Sequence, residues 1–562
     1  MLLDEMPSRS DHPIGSERTE GSPVPGDNRE AARLRELALW YRVFAERAGN
    51  PTISEARLHM AEELEREADR VPRVNGESQP VAAESVGAPR AIDPRTRLLL
   101  EAPILPTLLR LAWPNIAVML VMASTGLIET WWVSRLGTDA LAGIALVFPL
   151  YMMMQMLSAG AMGGGISSAI ARALGGGRHA DADALVLHAI VINLAIGIVC
   201  SGLVLVFGPV LYRTMGGEGA SLKAALDYSN IVFAGTVLVW LMNALASVIR
   251  GSGNMWVPSV WICVGVVLLV PLSPLLIFGL GPVPALGIAG AGAAVVATTA
   301  LTALALGWYI AAGRSVAHFR WARLRWASFA DILRVGAVAS ISTFQTSLAV
   351  LLTTGLVGVA AGPEAIAGYG TDNRLEFLLV PLVFGLGAPL VALVGTNIGA
   401  GQKERALRIA LTGGVIAFAL SEAIGLAAAI WPTAWLGLFD DHPRMLAAGA
   451  AYLRHVGPAF GFFGLGLSLY FASQGAGRLL WPLSAGLVRL VIAVGGGWLA
   501  FWLVGTVDAI FAALAAALVT YGVMLSAAVA SGVWFSRPLG TVFANGIFAR
   551  RPPGALTGSN QR

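Results

Sequence analysis

A series of long apolar runs constrains this chain more than any other feature of its sequence. Runs of 24 to 30 residues alternate with short loops that hold most of the nearby charges. Each run can cross a hydrocarbon core of about 30 Å as a helix rising 1.5 Å per residue. We predict an all-α integral membrane protein whose twelve spans lie at 111–134, 140–168, 184–208, 224–248, 256–280, 285–312, 335–360, 366–395, 409–436, 449–473, 481–504 and 508–533.

The composition agrees with a lipid environment. The 562 residues are 56% hydrophobic and 13% charged, whereas a typical soluble protein is about 25% charged. The two cysteines, Cys200 and Cys263, lie in apolar runs, so we expect neither a disulfide framework nor a cysteine-based metal site. The acidic start of the chain lacks the apolar core of a signal peptide.

The spans divide the chain into five predicted parts. They are a cytoplasmic N-terminal extension (1–98), a first six-helix lobe (99–313), a basic cytoplasmic inter-lobe loop (314–334), a second six-helix lobe (335–535) and a cytoplasmic tail (536–562). In the extension, residues 1–28 have the polar composition of a disordered segment and 71–98 that of a linker. Residues 29–70 show two amphipathic patterns, 29–47 and 54–70, that predict a helical hairpin with Ser54 capping the second helix.

Loop charges predict the orientation. With the N-terminus inside, the cytoplasmic loops and tail hold seventeen Lys and Arg residues and the outer loops hold five. Positive residues are enriched in cytoplasmic loops. We therefore expect a multi-pass protein of a bacterial inner membrane with both termini in the cytoplasm.

The sequence repeats itself at an offset of 224 residues. The matching pairs are Gly163 and Gly387, Gly175 and Gly399, Gly177 and Gly401, Gly251 and Gly475, Gly253 and Gly477, and Pro258 and Pro482. Each copy holds six predicted spans, an even number, so both copies enter the membrane in the same orientation. We expect two lobes related by a pseudo-two-fold axis along the membrane normal, with a cavity between them.

Several segments resemble the multidrug and toxic compound extrusion (MATE) family over roughly residues 100–535. They are Leu111-Ala-Trp-Pro114, Gly126-Leu-Ile-Glu129-Thr130, Leu136-Gly-Thr-Asp-Ala-Leu-Ala-Gly143, Tyr369-Gly-Thr-Asp-Asn-Arg-Leu-Glu376 and Leu393-Val-Gly-Thr-Asn-Ile-Gly-Ala-Gly-Gln402. The resemblance implies two six-helix lobes and export of amphipathic, often cationic, compounds against inward proton or sodium flow.

The chain departs from the family pattern at the cation sites. Glu129 stands where bacterial members typically have an aspartate, and Leu269 and Ser273 stand where the fifth span usually offers an Asn and an Asp. Gln345 replaces an acid of the sodium-driven branch, and an apolar residue near Phe463 replaces another. We therefore expect coupling to protons rather than to sodium.

Glu129 is the predicted ion-coupling residue. An acid inside a span is costly and usually faces a cavity, a partner or water. Loss of solvation favours the neutral carboxyl group, so Glu129 could load and release a proton as its exposure changes. We expect protonation and substrate binding to compete in this lobe. The alternative is a structural carboxylate bonded to a nearby hydroxyl such as that of Thr130.

A possible polar cluster in the second lobe comprises Gln345, Asp372, Arg374, Glu376 and Glu422. Asp372 and Glu376 are four residues apart and share a helix face, whereas Arg374 points away and could pair with Glu422. Either a structural ion pair or a binding role would explain this set.

We also predict roles for two further residues and for one loop. His188 and Arg489 are expected to stabilise the structure. The loop sequence Arg320-Trp-Ala-Arg-Leu-Arg-Trp326 alternates bases and aromatic residues, which favours contact with anionic lipid rather than with nucleic acid.

We expect a monomeric secondary exporter of small amphipathic or cationic molecules in the lipid bilayer, with no enzymatic activity, cofactor, metal or nucleic-acid partner. The sequence has no phosphate-binding loop of an ATP-driven pump. The alternative is a flippase for lipid-linked oligosaccharides or other lipids.

Overall fold

The structure is a computed structural model that describes residues 34, 38, 51–70, 93–279, 282–439 and 443–534. The chain divides into two units, residues 1–91 and 92–562. In the first unit, α1 spans Pro51–Arg70. Proline is favoured in the first turn of a helix, so the helix begins at Pro51, and Ser54 lies inside the helix rather than at its cap. The first predicted hairpin helix, 29–47, lies outside the described residues apart from two isolated positions.

The second unit is built from helices throughout its described part. They are α2 (Pro94–Glu101), α3 (Ile104–Ser134), α4 (Thr138–Gln155), α5 (Gly163–Gly175), α6 (His179–Thr214), α7 (Gly219–Ala234), α8 (Thr236–Gly251), α9 (Trp256–Phe278), α10 (Ile288–Ala311), α11 (Trp326–Gly399), α12 (Lys403–Ile430), α13 (Pro432–Leu436), α14 (Pro443–Val456), α15 (Phe460–Ala476), α16 (Leu480–Leu490), α17 (Gly497–Val504) and α18 (Val507–Ala530).

Two π-helical segments and one 3₁₀ turn join some of these helices into continuous rods. Met156–Met162 joins α4 to α5, Val491–Gly496 joins α16 to α17, and Gly457–Ala459 joins α14 to α15. Among the described residues, eleven helical stretches are long and apolar enough to cross a membrane, and the α7–α8 pair, bent by 44°, makes a twelfth. The predicted all-α membrane fold is confirmed.

Helix α11 contains the seventh and eighth spans. Its two ends contact the same helix, α5, because Gly336 packs against Gly165 and Thr396 packs against Gly175. A straight helix would hold Gly336 and Thr396 about 90 Å apart, whereas Gly165 and Gly175 are only about 15 Å apart. The chain therefore crosses the membrane and returns between these points, although the backbone is helical from end to end.

The 224-residue repeat appears directly in the contact between the lobes. Gly175 of α5 packs against the Thr396 carbonyl of α11, and Gly399 of α11 packs against the Arg172 carbonyl of α5. Adding 224 to each residue of the first lobe exchanges these two contacts. Such reciprocity is the signature of a two-fold interface, so the predicted pseudo-two-fold relation is confirmed at this end of the molecule.

Packing inside each lobe repeats as well. A Cβ atom on Gly251 would lie 2.8 Å from the Ser167 carbonyl oxygen, and one on Gly475 would lie 2.6 Å from the Val391 carbonyl oxygen. Both pairs are again separated by 224 residues. Small residues allow helices to pack closely in membranes, and the same glycine-mediated contact occurs in both lobes.

Two predicted boundaries differ from the structure. Helix α2 begins inside the predicted linker, because the Asp93 carboxylate accepts a hydrogen bond of 2.8 Å from the Arg95 N–H and Pro94 opens the helix. Helix α11 begins at Trp326, so the inter-lobe loop is shorter than predicted. Its N-terminus is held by His188, whose Nε2 accepts a hydrogen bond of 2.9 Å from the Arg325 N–H.

Candidate functional site

Glu129 lies in the last turns of α3 and is half-buried. Within the part of the chain that the structure describes, its buried Oε1 atom has no hydrogen-bond partner. The Thr130 hydroxyl donates instead to the Gly126 carbonyl at 2.8 Å. The neighbour considered as a structural partner is therefore engaged within its own helix.

Ser273 faces Glu129 from α9. The two side chains lie near each other, but Ser273 Oγ is fully buried and forms no hydrogen bond of normal geometry with a described atom. Ser273 stands where the family resemblance led us to expect an acid. The structure thus places the predicted residue Glu129 near a position where the chain departs from the family pattern, and Glu129 Oε1 and Ser273 Oγ both have unused hydrogen-bonding capacity.

Two tyrosines complete this first-lobe group. Tyr151 in α4 and Tyr228 in α7 lie within electrostatic range of the Glu129 carboxyl group. Four different helices, α3, α4, α7 and α9, therefore present polar groups to one another in a region that is otherwise apolar. Sequence reasoning missed both tyrosines, because nothing in an apolar run shows which side chains meet across helices.

A chain of hydrogen bonds leads away from Tyr151. Gln155 Nε2 donates to the Tyr151 hydroxyl at 3.0 Å, and Asn243 Nδ2 lies 3.1 Å from both Gln155 Oε1 and Ser158 Oγ. Ser158 belongs to the first π-helical segment. π-Helical turns are frequent at functional sites. The only sequence signal for this network was the presence of Gln155 and Asn243 in apolar spans.

A cavity of about 320 Å³ lies among the membrane-type helices. Residues of the second lobe form most of its described lining, and Met156 and Gly160 of the first π-helical segment complete it. The lining combines hydroxyl groups with aromatic rings and includes Gln345 and Arg489. The expected chamber between equal lobes is therefore mainly a second-lobe cavity, and Glu129 is not among its lining residues.

The predicted second-lobe cluster is only partly visible. Gln345 lines the cavity, with its buried Nε2 unbonded to any described residue. Glu422 Oε2 accepts a hydrogen bond of 2.8 Å from the Gly461 N–H in the first turn of α15. The side chains of Asp372, Arg374 and Glu376 lie outside the described residues, so the pairing of Arg374 with Glu422 stays a prediction.

Arg489 brings a positive charge to the cavity wall. Its guanidinium carbon lies 5.1 Å from the centre of the Phe463 ring and 5.6 Å from that of Tyr521. A cation above aromatic faces is stabilised by the ring quadrupole. The residue expected to be structural therefore also shapes the surface that a ligand would meet.

The lobes are closed at the end that carries Gly175 and Gly399. Arg172 Nη2 of the first lobe forms an ion pair of 2.6 Å with Asp331 of the second. Ser168 Oγ donates to the Gln474 carbonyl at 2.6 Å, and Gln474 Nε2 donates to the Gly160 carbonyl at 3.1 Å. These contacts join the two lobes at this end of the molecule.

Two repeated lobes of membrane helices, a cavity lined mainly by the second lobe and a closed end are typical of a multi-pass membrane transporter. The comparisons with known proteins give the family. The family model MatE matches residues 114–275 and 339–499, which is more than half of the chain and one segment in each lobe. The chain belongs to the MatE family, whose members are transporters rather than enzymes.

Relatives of this chain carry different substrate names. It is 26% identical over 400 residues to the "FAD transporter" of Shewanella oneidensis, which covers 70% of this chain and 87% of that protein. It is 24% identical over 379 residues to the "Probable multidrug resistance protein NorM" of Thermotoga maritima, covering 67% of this chain and 81% of that protein.

Solved structures share the fold. One is described as the "Outward-facing conformation of a multidrug resistance MATE family transporter of the MOP superfamily". It has a TM-score of 0.70 at 24% identity and covers 76% of this chain and 96% of that one. A MOP superfamily transporter from Pyrococcus furiosus also has a TM-score of 0.70 at 24% identity, covering 77% and 96%.

Proposed function

We propose that this MatE-family transporter exports small amphipathic, often cationic, molecules in exchange for protons. The single observation that supports the exchange is the half-buried carboxyl group of Glu129, whose Oε1 lacks a described partner beside the equally unsatisfied Ser273. A buried polar group without a hydrogen bond is costly. We infer that Glu129 and Ser273 are left unsatisfied because Glu129 changes its protonation state during transport.

The Ser273 hydroxyl suits both states of Glu129. A hydroxyl can donate to an ionised carboxylate and can accept from a protonated carboxylic acid. A small movement of α3 or α9 would complete either bond. Proton loading at Glu129 then needs no large rearrangement of its surroundings, and the energy difference between the two states stays small enough for a transport cycle.

Glu129 and the cavity lie in different lobes, so their competition has to be indirect. The polar chain through Tyr151, Gln155 and Asn243 ends at Ser158, in the same π-helical segment that contributes Met156 and Gly160 to the cavity wall. We propose that a change of charge at Glu129 rearranges the hydrogen bonds among these side chains and shifts the π-helical segment. Release of substrate would follow from that shift.

The cavity supports the substrate class. Aromatic rings such as Tyr470 and Phe471 offer apolar contact. The hydroxyls of Ser342, Thr343 and Thr346 donate to carbonyls of their own helix, so their oxygens can still accept a hydrogen bond from a polar or cationic group. Pockets for small molecules combine an apolar wall with a few polar groups. An amphipathic molecule fits this combination. We propose transport by a monomer in a bacterial inner membrane, with both termini cytoplasmic and without a cofactor.

A second candidate substrate is an anionic aromatic compound of the flavin nucleotide type. Arg489 in the cavity wall, between Phe463 and Tyr521, offers charge and ring contact to such a molecule. A relative named as a FAD transporter gives this candidate its specific form. Competition between FAD and ethidium for transport would separate the two candidates.

The test measures ethidium uptake into everted membrane vesicles, which corresponds to efflux from the cell. The proton and sodium gradients are collapsed separately. We expect wild-type efflux to fall when the proton gradient is removed and to continue without sodium. Glu129→Gln should lower gradient-driven efflux at least tenfold, a difference of about 1.4 kcal/mol. Glu422→Gln is the matched control, because the amide oxygen can still accept from Gly461. Unchanged efflux in Glu129→Gln would contradict the proposal.

A further inference from the structure

The segment that links the two lobes exposes large apolar side chains. We call residues 318–326 the inter-lobe segment. Trp321 is 87% exposed, Trp326 76% and Leu324 53%. A tryptophan side chain can bury 150–250 Å², so leaving two of them uncovered forgoes a large gain in hydrophobic free energy. These side chains therefore suit an environment other than water.

Cationic side chains alternate with these apolar ones. Arg320, Arg323 and Arg325 are exposed within the segment, and Arg314 and Arg334 flank it. Of the nearby acids, Asp331 pairs with Arg172, and Asp183 pairs with Arg320 of the segment itself. Arg323 and Arg325 have no ion pair among the described residues and keep their positive charges. The surface of the segment is therefore positive, which makes it complementary to anionic groups.

The segment is fixed to the first lobe rather than free in solvent. The buried Asp183 carboxylate accepts a hydrogen bond of 2.7 Å from the His318 N–H and lies 3.4 Å from Arg320 Nε. His188 Nδ1 lies 2.7 Å from the Ala184 carbonyl, and its Nε2 accepts from the Arg325 N–H. A neutral imidazole with its proton on Nδ1 satisfies both contacts. Both ends of the segment are thus held in place by α6.

The position of the inter-lobe segment in the sequence indicates its depth relative to the bilayer. The segment follows α10 and precedes α11, and both helices are apolar enough to cross a membrane. It therefore lies where spans leave the bilayer. Trp308, near the end of α10, is also exposed, and Arg314 lies 4.6 Å above its ring. Tryptophan and arginine together are typical of the membrane–water interface.

We propose that the inter-lobe segment binds the headgroups of anionic phospholipids. Arg323 and Arg325 pair with lipid phosphates, while Trp321, Leu324 and Trp326 enter the interfacial layer. A free phosphate ion would make no use of these apolar side chains. A nucleic acid would have to displace the bilayer that the adjoining spans hold beside the segment. The anionic lipid is therefore the ligand that satisfies both halves of this surface.

The first test counts lipids bound to the purified full-length chain by native mass spectrometry, comparing phosphatidylglycerol with phosphatidylcholine. The test variant is Arg323→Gln with Arg325→Gln. The matched control, Arg213→Gln with Arg454→Gln, removes two exposed arginines from the last turns of α6 and α14. One basic residue near an anionic surface gives about a fivefold gain in affinity. We expect phosphatidylglycerol binding to fall about 25-fold in the test variant and to persist in the control.

Three results would overturn the proposal. They are equal loss in both double variants, equal binding of both lipids by wild type, and displacement of bound phosphatidylglycerol by inorganic phosphate or a short RNA. Unchanged ethidium efflux in the test variant would show that it is folded and would keep this test separate from the proposed transport function.

The second test measures depth. Leu324→Cys, labelled with an environment-sensitive dye after replacing Cys200 and Cys263 by serine, is placed in phosphatidylglycerol nanodiscs. Lipids brominated near the headgroup should quench the dye. Quenching only by a water-soluble agent would contradict insertion of the segment.

Discussion

At the residue scale, two membrane acids of this chain have opposite surroundings. Glu422 Oε2 is bonded to the Gly461 N–H, where it satisfies a free donor at a helix N-terminus. Glu129 Oε1 has no partner among the described residues. A carboxylate held by a helix end is structural, whereas one left unsatisfied beside a hydroxyl is free to change its state.

Glu422→Ala should destabilise the second lobe. Loss of a carboxylate at a helix N-terminus costs about 1 kcal/mol, so we expect a lower thermal midpoint of the detergent-solubilised protein. Glu422→Gln keeps an acceptor oxygen and should retain most of the stability. Equal midpoints for Glu422→Ala and wild type would show that the contact with Gly461 does not stabilise α15.

Asn243→Leu tests the polar chain between Glu129 and the cavity. The substitution keeps the volume but removes both contacts of Asn243 Nδ2, with Gln155 and Ser158. We expect ethidium affinity to change less than threefold, whereas the number of protons exchanged per ethidium falls by at least half. Asn193→Leu is the control, because this buried asparagine donates only to Ala189 of its own helix. Normal stoichiometry in Asn243→Leu would exclude the relay.

At the element scale, the close packing of α5 on α11 holds one end of the transporter shut. Gly175 and Gly399 allow the two backbones to approach, and the ion pair of Arg172 with Asp331 lies at the same end. Opening this end requires these contacts to separate as a unit, because a packed interface has few intermediate arrangements.

Gly175→Ala should favour the state in which this end is open. A Cβ atom at Gly175 has no room beside the Thr396 carbonyl. Spin labels on cysteines at Ala180 and Gln402, with the native cysteines replaced, would report the distance between the lobes by pulsed electron resonance. We expect a longer mean distance in Gly175→Ala. Gly202→Ala is the control, since nothing lies within 4 Å of its Cβ, and an unchanged distance in Gly175→Ala would contradict the account.

The same scale shows what could be predicted from sequence. The spans and the 224-residue repeat were predictable, because hydropathy and glycine spacing are local properties that lipid and close helix contacts require. The start of α11 was not, because its N-terminal N–H is satisfied by His188 from a distant helix. Glu129 and Ser273 could be selected as family positions, but the proximity of Glu129 to Tyr151 and Tyr228 depends on packing across helices.

At the scale of the whole molecule, the candidate proton site lies in the first lobe and most of the cavity lies in the second. The proposed exchange would then depend on movement of one lobe relative to the other rather than on direct displacement of proton by substrate. The reciprocal contacts of Gly175 with Thr396 and of Gly399 with Arg172 show how closely the lobes meet when one end is shut. Alternating access is the transport mechanism that suits such an architecture.

Substrate-driven proton release is the most direct measurement of this account. Ethidium is added to the purified protein in weakly buffered solution, and released protons are counted with a pH-sensitive dye. We predict about one proton per ethidium bound for wild type and for Glu422→Gln, because one carboxyl group is proposed to couple. Glu129→Gln should bind ethidium without releasing a proton. Equal proton release from Glu129→Gln would contradict the central claim.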